Sequence, residues 1–256
     1  MHPTTRDHMV MNRRLKRKSY LIVATILFGL CALLAGKPTL SAQSGYSPEL
    51  SEEIVNRIIE KNIGILQKYR GVASLQRSIT QVFNSETGEV TETVELKTLK
   101  KSYFQEPSET TVLEYKKNGI IEDPEDYKED KRPPAYQVFD QKSRERFDYK
   151  VAGTKEINNQ NCYILKVLPR QNTERHFKGT VYVNTDSLNT VYLEGTIADY
   201  PFGLKDMNMT FTFESLGELY AFKKATIELF IHVPIIKPNT RILITTDSLQ
   251  NKPIPR

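Results

Sequence analysis

The chain of 256 residues contains no tryptophan, two cysteines and four histidines. One cysteine and two histidines fall within the first 42 residues, which leaves Cys162, His176 and His232 in the remainder. A single cysteine excludes an internal disulfide there, and Cys162 lies in an apolar run, where a free cysteine usually packs as a small hydrophobe. Two distant histidines provide neither the nucleophile–base pair of a catalytic triad nor the clustered ligands of a metal site. These absences predict a protein that is not an enzyme.

Two further kinds of ligand site are missing from the sequence. No glycine-rich loop of the kind that cradles phosphate groups is present. The acid-rich segment Glu122–Pro134 lacks the regularly spaced aspartates and the glycine of a calcium-binding loop, and its lysines and arginine neutralise much of its charge. We therefore expect no metal and no cofactor, and we interpret this segment as a solvated surface insertion.

The positive charge of the chain comes from its beginning. Residues 1–42 contain seven of the 36 basic residues and one of the 31 acidic ones, so residues 43–256 hold 29 basic and 30 acidic residues, a net charge of −1. Nucleic-acid binding needs a basic face on the folded domain, and this balance gives no support for one. We expect no nucleic-acid partner.

Residues 1–42 have the order of regions found in secretory signal peptides. A basic run, Arg13–Lys18, precedes the 16-residue apolar run Tyr20–Ala35, and small residues then lead to Leu40-Ser41-Ala42. The apolar run is shorter than the ~20 residues of a typical membrane-spanning helix, although an uncleaved membrane anchor is the alternative. The sequence thus predicts an exported protein, with residues 43–256 as a single domain.

The remainder of the chain predicts one helix followed by strands. The pair Ser47-Pro48 is typical of a helix start, and an apolar stripe at helical spacing follows it as far as Tyr69. Gly71 is placed to end this helix. Beyond it the period changes to two, and we expect roughly nine to eleven strands joined by turns such as Asn118-Gly119. The predicted fold class is α+β, a long antiparallel β-meander curved around an N-terminal amphipathic helix.

The clearest strand alternates large apolar and small polar side chains from Met207 to Phe213, and an aliphatic run follows later. Side chains alternate faces along a strand, so such strands form a sheet with one apolar face. The candidate binding residues on this face are Met207, Met209, Phe211, Phe213, Ile227, Leu229 and Ile231. The candidate lid over it consists of the helix residues Leu50, Ile54 and Ile58 and the loop residues Tyr200, Pro201 and Phe202. The residues alone leave open whether this face lines a cavity or is an ordinary core.

One segment carries a resemblance to a known family. Phe177–Leu188, with the sequence Phe-Lys-Gly-Thr-Val-Tyr-Val-Asn-Thr-Asp-Ser-Leu, and the strand that ends near Glu194-Gly195 resemble a strand–turn–strand of the periplasmic lipoprotein-carrier superfamily, which is LolA/LolB-like and includes outer-membrane lipoprotein-sorting proteins. The resemblance covers most of residues 48–248. The chain departs from the family in lacking tryptophan and in its long charged insertion. The resemblance implies an unclosed, strongly curved barrel with a helical lid over a hydrophobic cavity that takes lipoprotein acyl chains.

The predicted function is a non-enzymatic periplasmic carrier or binder of lipid-modified protein or other lipid, similar to outer-membrane lipoprotein sorting and acting as a monomer. Some members of the family regulate signalling or sense misfolded envelope proteins, and a fold does not fix its ligand. The alternative is therefore an interaction module that binds envelope proteins through its surface. An enzyme is the third hypothesis, and it would depend on His176 or His232.

Overall fold

The computed structural model describes residues 46–84, 86–104, 106–127, 138–174, 176–233 and 237–256, with the backbone alone for 237–239. The segment interpreted as a signal peptide and most of the charged insertion lie outside the described residues. Within the described part, no helix combines the length and the apolar composition that crossing a membrane requires.

Helix α1 spans Pro48–Lys68. Ser47 caps its first turn, because its Oγ accepts a hydrogen bond from the backbone N–H of Leu50 at 3.2 Å. The aliphatic side chains that this helix buries are Ile54, Val55, Ile58 and Ile59. The helix passes directly into a strand at Tyr69, so the prediction that Gly71 ends it is wrong.

Eleven strands follow, each antiparallel to its neighbours. They are β1 (Tyr69–Asn84), β2 (Val90–Tyr103), β3 (Glu109–Lys117), β4 (Ile120–Glu122), β5 (Phe147–Ile157), β6 (Gln160–Pro169), β7 (Phe177–Asn184), β8 (Thr190–Ile197), β9 (Leu204–Leu216), β10 (Leu219–Val233) and β11 (Lys237–Pro255). A single 3₁₀ turn, Pro124–Asp126, and a short helix α2, Ser143–Arg146, lie between β4 and β5 among the described residues. Asn118 and Gly119 both have positive φ between β3 and β4, which confirms the predicted hairpin.

The strands form one sheet in the order β4-β3-β2-β1-β11-β10-β9-β8-β7-β6-β5. Neighbours in sequence are neighbours in the sheet except that β4 and β5 lie at its two edges, and β1 pairs instead with β11. Twisted sheets with this many strands curl. Because the two edges do not pair with each other, the sheet is an unclosed, curved barrel, and the predicted fold class is confirmed.

Two glycines on neighbouring strands allow a close contact within this sheet. Gly179 on β7 lies opposite Gly195 on β8. A Cβ atom on Gly179 would lie 2.2 Å from the carbonyl oxygen of Glu194, and one on Gly195 would lie 2.3 Å from that of Lys178. The buried ring of Phe177 covers the pair, with ring atoms 2.6 and 2.8 Å from these two positions. Three of the residues in the segments that resemble the family, Phe177, Gly179 and Gly195, therefore form one packing unit, in which only glycine leaves room for the ring.

Gly71 has a similar role at the start of β1. A Cβ atom on this residue would lie 2.2 Å from the carbonyl oxygen of Ser102 on β2. Gly71 therefore permits the close approach of two strands, and this packing requirement replaces the helix-ending role that the sequence predicted.

The main core lies between α1 and the inner face of the strands from β5 to β10. Val55 on the helix, Phe147 on β5 and Leu165 on β6 have almost no exposed surface. A smaller cluster on the other side of the sheet contains Cys162 with Tyr182 and other strand residues. Cys162 is fully buried, which agrees with its predicted packing role, and burial raises the pKa of its thiol.

Replacing Gly195 with Ala is expected to lower the free energy of unfolding by ~1–3 kcal/mol, because the added methyl group overlaps the β7 backbone and the Phe177 ring. Gly64→Ala is the matched control. No atom lies within 4 Å of a Cβ at Gly64 in α1, and alanine is better than glycine in a helix by ~1 kcal/mol, so this variant should be more stable. Urea unfolding measures both, and an unchanged stability for Gly195→Ala would contradict the packing argument.

Candidate functional site

Register pairing brings the predicted binding residues of β9 and β10 to one face of the sheet. Met207 lies opposite Leu229, and Met209 lies opposite Ile227. Directly paired side chains point to the same side, and alternate residues along each strand share that side. The other predicted members on these strands are Phe211, Phe213 and Ile231. The face is continuous with the core, since Met209 and Phe211 belong to the cluster that includes α1.

This face changes from core to open surface along the two strands. Met209 and Phe211 are buried, with 3% and 5% of their surface exposed. The partly buried residues that pack against the core are Met207, Phe213 and Ile227. Leu229 and Ile231 are also partly exposed and lie towards the far end of the face. The predicted set is therefore part core and part accessible apolar surface.

Strands β11 and β1 extend the accessible part. Ile242 lies opposite Leu229, Ile244 lies opposite Ile227, and Val82 on β1 lies opposite Ile242. All of these side chains are partly exposed. We call the following six residues the apolar strip: Met207, Ile227, Leu229, Ile242, Ile244 and Val82. The strip crosses four adjacent strands on the face that also packs against α1.

Sequence reasoning missed three members of this strip, Val82, Ile242 and Ile244. The alternation of Ile242 and Ile244 was a signal for a strand with an apolar face. Nothing local indicated which strands would lie beside it, because the pairing of β1 with β11 joins residues that are far apart in the sequence.

Polar side chains mark one boundary of the apolar strip. Along the same face of β1 and β11, Ser78 Oγ lies 2.8 Å from Thr246 Oγ1, and Ser74 Oγ donates to Asn251 Oδ1 at 2.5 Å. Asn251 Nδ2 also donates to the carbonyl oxygen of Phe222 at 2.7 Å. Hydroxyl and amide groups that bond to one another have little affinity for alkyl chains. The apolar character of this face is therefore confined to one end of β1 and β11.

The helix proposed as a lid packs against the sheet through buried side chains. Ile54 and Ile58 are buried in the core, whereas Leu50 is exposed. Arg144 donates to the carbonyl oxygen of Glu52 at 3.0 Å near the beginning of α1. Lid function itself stays a prediction for these residues.

The loop proposed as the second part of the lid lies beside the end of β10. Its Tyr200 packs against the core and its hydroxyl donates to Asp206 Oδ1 at 3.1 Å. The backbone N–H of His232 donates to the carbonyl oxygen of Gly203 at 2.8 Å, which places this loop beside the end of β10. Phe202 is exposed at this position and Pro201 is partly exposed. The loop therefore leaves an aromatic side chain exposed next to the end of β10.

The described residues contain no group of three or more His, Cys, Asp and Glu side chains placed to hold a metal ion. His176 Nδ1 lies 2.8 Å from the carbonyl oxygen of Gln171, and its ring packs 5.4 Å from that of Phe147. These contacts give His176 a structural role at the entrance to β7.

Tyr149 on β5 carries a partly buried hydroxyl group on the core side of the sheet. This hydroxyl donates to the carbonyl oxygen of Val138, and the ring stacks on Phe139 with centroids 5.7 Å apart. Burial raises the pKa of Tyr149 to about 12, because the phenolate would lose its hydration.

No family model matches the sequence, and no curated protein matches it. Solved structures similar to the chain include a DUF1329 family protein from Desulfovibrio piger, with 10% identity, a TM-score of 0.43, and coverage of 80% of this chain and 92% of that one. A LolA superfamily protein from Nitrosomonas europaea has 9% identity and a TM-score of 0.39, with 79% and 92% covered. A putative outer membrane lipoprotein-sorting protein domain from Vibrio parahaemolyticus has 10% identity and a TM-score of 0.38, with 79% and 93% covered. The family that the sequence resembles is thus represented among these structures, but TM-scores below 0.5 decide neither ligand nor partner.

Tyr149 should make stability depend on alkaline pH. An unfolded tyrosine ionises near pH ~10, whereas the native protein retains this proton until about pH 12. Its contribution to stability is therefore complete below pH ~10 and is lost as the pH rises through that interval. Tyr149→Phe should lose less stability than the wild type between these two pH values, as measured by urea unfolding. An equally steep loss in the variant would contradict this assignment.

Truncating the two parts of the predicted face should have different costs. Met209→Ala is expected to lower the free energy of unfolding by ~2–5 kcal/mol, because it leaves a cavity in the core. Leu229→Ala should cost markedly less, because its side chain is already partly exposed. Thermal and urea unfolding compare the two variants. Equal costs would show that Leu229 is as tightly packed as Met209.

Proposed function

We propose that the protein is a non-enzymatic carrier or binder of acyl chains, and that the apolar strip is the surface on which an acyl chain lies. The observation that carries this proposal is the partial exposure of six aliphatic or thioether side chains on one face of four adjacent strands. Contiguous exposed apolar surface is a common mark of a binding site.

The chemistry of the strip suits an alkyl chain. Its members carry no charge, and the polar pairs on β1 and β11 lie outside it. Each buried methylene of a ligand contributes ~0.8 kcal/mol, so eight methylenes on the strip contribute ~6 kcal/mol before the cost of association. Met207 adds an unbranched, polarisable side chain that adapts to chains of different shape.

The proposed setting is the bacterial periplasm. The basic, apolar and small-residue regions of residues 1–42 support export, and residues 43–256 would then form one monomeric domain. In this setting the cargo is a lipid-modified protein or a free lipid, whose acyl chain is unfavourable to expose to water.

A second candidate function is an interaction module for envelope proteins. The observation that favours it lies at the β3–β4 hairpin, where Ile120 and Ile121 are 66% and 73% exposed directly before the charged insertion. Exposed aliphatic side chains beside a charged segment fit a protein partner better than an acyl chain.

The acyl-chain proposal can be tested with a matched pair of neighbouring residues on β10. Leu229 belongs to the strip, whereas Phe230 points to the opposite face of the sheet and is also partly exposed. Leu229→Gln should weaken binding of a fluorescent fatty acid by about 10- to 100-fold, because losing one buried leucine contact costs ~1.5–3 kcal/mol. Phe230→Gln should leave the affinity unchanged.

Native mass spectrometry of the protein purified without detergent gives an independent measurement. Co-purified lipid in the wild type, reduced in Leu229→Gln but not in Phe230→Gln, is the expected result. If neither measurement detects lipid, or if both variants behave alike, the acyl-chain proposal fails and the interaction module becomes the better hypothesis.

A further inference from the structure

Strand β5 forms one edge of the sheet. Its eleven residues, Phe147–Ile157, pair with β6 on one side. Within the described part of the protein, no backbone hydrogen bond outside this pair involves residues 148–157. Side chains on both faces of the strand are exposed, including those of Lys150 and Thr154. Because unpaired N–H and C=O groups along an edge are a template for a further strand, β5 can accept an extended segment beside it.

The face of β5 and β6 that points away from the core carries three exposed lysines. Lys150 lies directly opposite Lys166, and Lys155 lies opposite Cys162, which belongs to the small cluster on this side of the sheet. Like charges on directly opposite residues of an antiparallel pair are destabilising. Anionic groups bound to this face would reduce that repulsion.

A fourth exposed lysine extends this face to β7. Lys178 is two residues from Thr180, which lies opposite Lys166, so these three side chains point to the same side. Lys166 Nζ donates to the neutral Oγ1 of Thr180 at 2.7 Å. None of the ion pairs within the described residues involves Lys155, Lys166 or Lys178. We call the following four residues the lysine face: Lys150, Lys155, Lys166 and Lys178.

The two carboxylates on this side of β5–β8 already accept hydrogen bonds from other residues. Asp148 Oδ1 accepts a hydrogen bond from Arg170 Nε at 3.0 Å. Glu194 Oε1 accepts one from the hydroxyl of Tyr182 at 2.8 Å. This side of the sheet therefore has an excess of positive charge, although residues 43–256 together have a net charge of −1.

Protection of the sheet edge accounts for only part of the lysine face. Lysines and bulges on an edge strand oppose unwanted pairing, and β5 has Lys150, Lys155 and a bulge next to Gly153. Lys166 and Lys178 lie on interior strands, where edge protection does not require them. Pairing between the β5 edges of two copies would join two positively charged faces, which disfavours a second copy as the partner. The charge fits an acidic partner instead.

We propose that the open edge of β5 binds an extended, acidic segment of a partner protein, which pairs with the β5 backbone and places its carboxylates beside the lysine face. Backbone hydrogen bonds provide affinity in such strand addition, and alternate side chains provide specificity. Acidic residues at every second position would all point to the lysine face. The proposal does not depend on acyl-chain binding, because the apolar strip lies on the opposite face of the sheet. It also names a different surface from the β3–β4 hairpin, which lies at the other edge.

Fluorescence anisotropy tests the proposal with a labelled peptide of about ten alternating Glu and Val residues, the length of a long strand. The triple variant Lys150→Gln, Lys155→Gln, Lys166→Gln should bind it about tenfold more weakly, because three exposed ion pairs are lost. Its melting temperature should not fall, since the variant removes a repulsive pair. Lys252→Gln is the matched control, because Lys252 is an exposed lysine on β11, and this variant should retain wild-type affinity.

Two further peptides separate strand pairing from charge attraction alone. One is N-methylated at every Glu and the other at every Val, so each retains N–H donors along one edge only. Strand addition predicts that one of them loses affinity by about tenfold or more while the other still binds. Equal binding of both peptides, or no binding of the unmethylated peptide, would overturn the proposal.

A membrane surface is the competing partner for a positively charged face, and phosphatidylglycerol vesicles test it. Vesicles that bind the wild type but not the triple variant, without any binding of the peptide, would also overturn the proposal. Fatty-acid binding that is unchanged in the triple variant would show that the apolar strip functions independently of this edge.

Discussion

The rest of the structure depends on a difference in size: the one long helix is much smaller than the sheet that it covers. An α-helix of 21 residues is ~31 Å long and ~10–12 Å across, whereas eleven strands spaced ~4.8 Å apart would extend ~50 Å if the sheet were flat. Curling brings the strands from β5 to β10 around the helix, and the buried core forms there. The face of β11 and β1 has less to pack against, and it divides into polar pairs near Ser74 and Ser78 and an accessible apolar region around Ile242. The apolar strip is thus a direct consequence of covering a long sheet with a short helix.

The glycine pair Gly179 and Gly195 shows how the sheet meets this constraint locally. Phe177 occupies the space that two Cβ atoms would take, so a large ring enters the core without separating β7 from β8. These residues specify how two strands approach each other, and such packing does not fix which ligand the protein binds.

Much of the fold followed from local patterns in the sequence. Ser47 predicted the helix start, period-two alternation predicted the strands, and Asn118-Gly119 predicted a hairpin, because each signal acts over a few residues. The role of Gly71 could not be predicted, since the backbone that crowds it belongs to β2. The same limit applies to contacts between distant segments: the strip requires the pairing of β1 with β11, and Lys61 on α1 bonds to the single turn between β7 and β8, more than a hundred residues later.

The two parts of the predicted lid, helix α1 and the loop at Tyr200–Phe202, differ in how tightly they pack against the core. Four buried aliphatic side chains on the helix contribute ~6–12 kcal/mol at ~1.5–3 kcal/mol each, which is comparable with the ~5–15 kcal/mol that stabilises a whole domain. Hydrogen bonds also hold the C-terminal half of the helix, and they involve Lys61, Lys68 and Arg256. Lifting this helix would therefore expose four side chains of the buried core. The loop at Tyr200–Phe202 packs Tyr200 against the core, makes a few hydrogen bonds and leaves Phe202 exposed. Of the two predicted parts of the lid, the loop is therefore the one less deeply buried in the core.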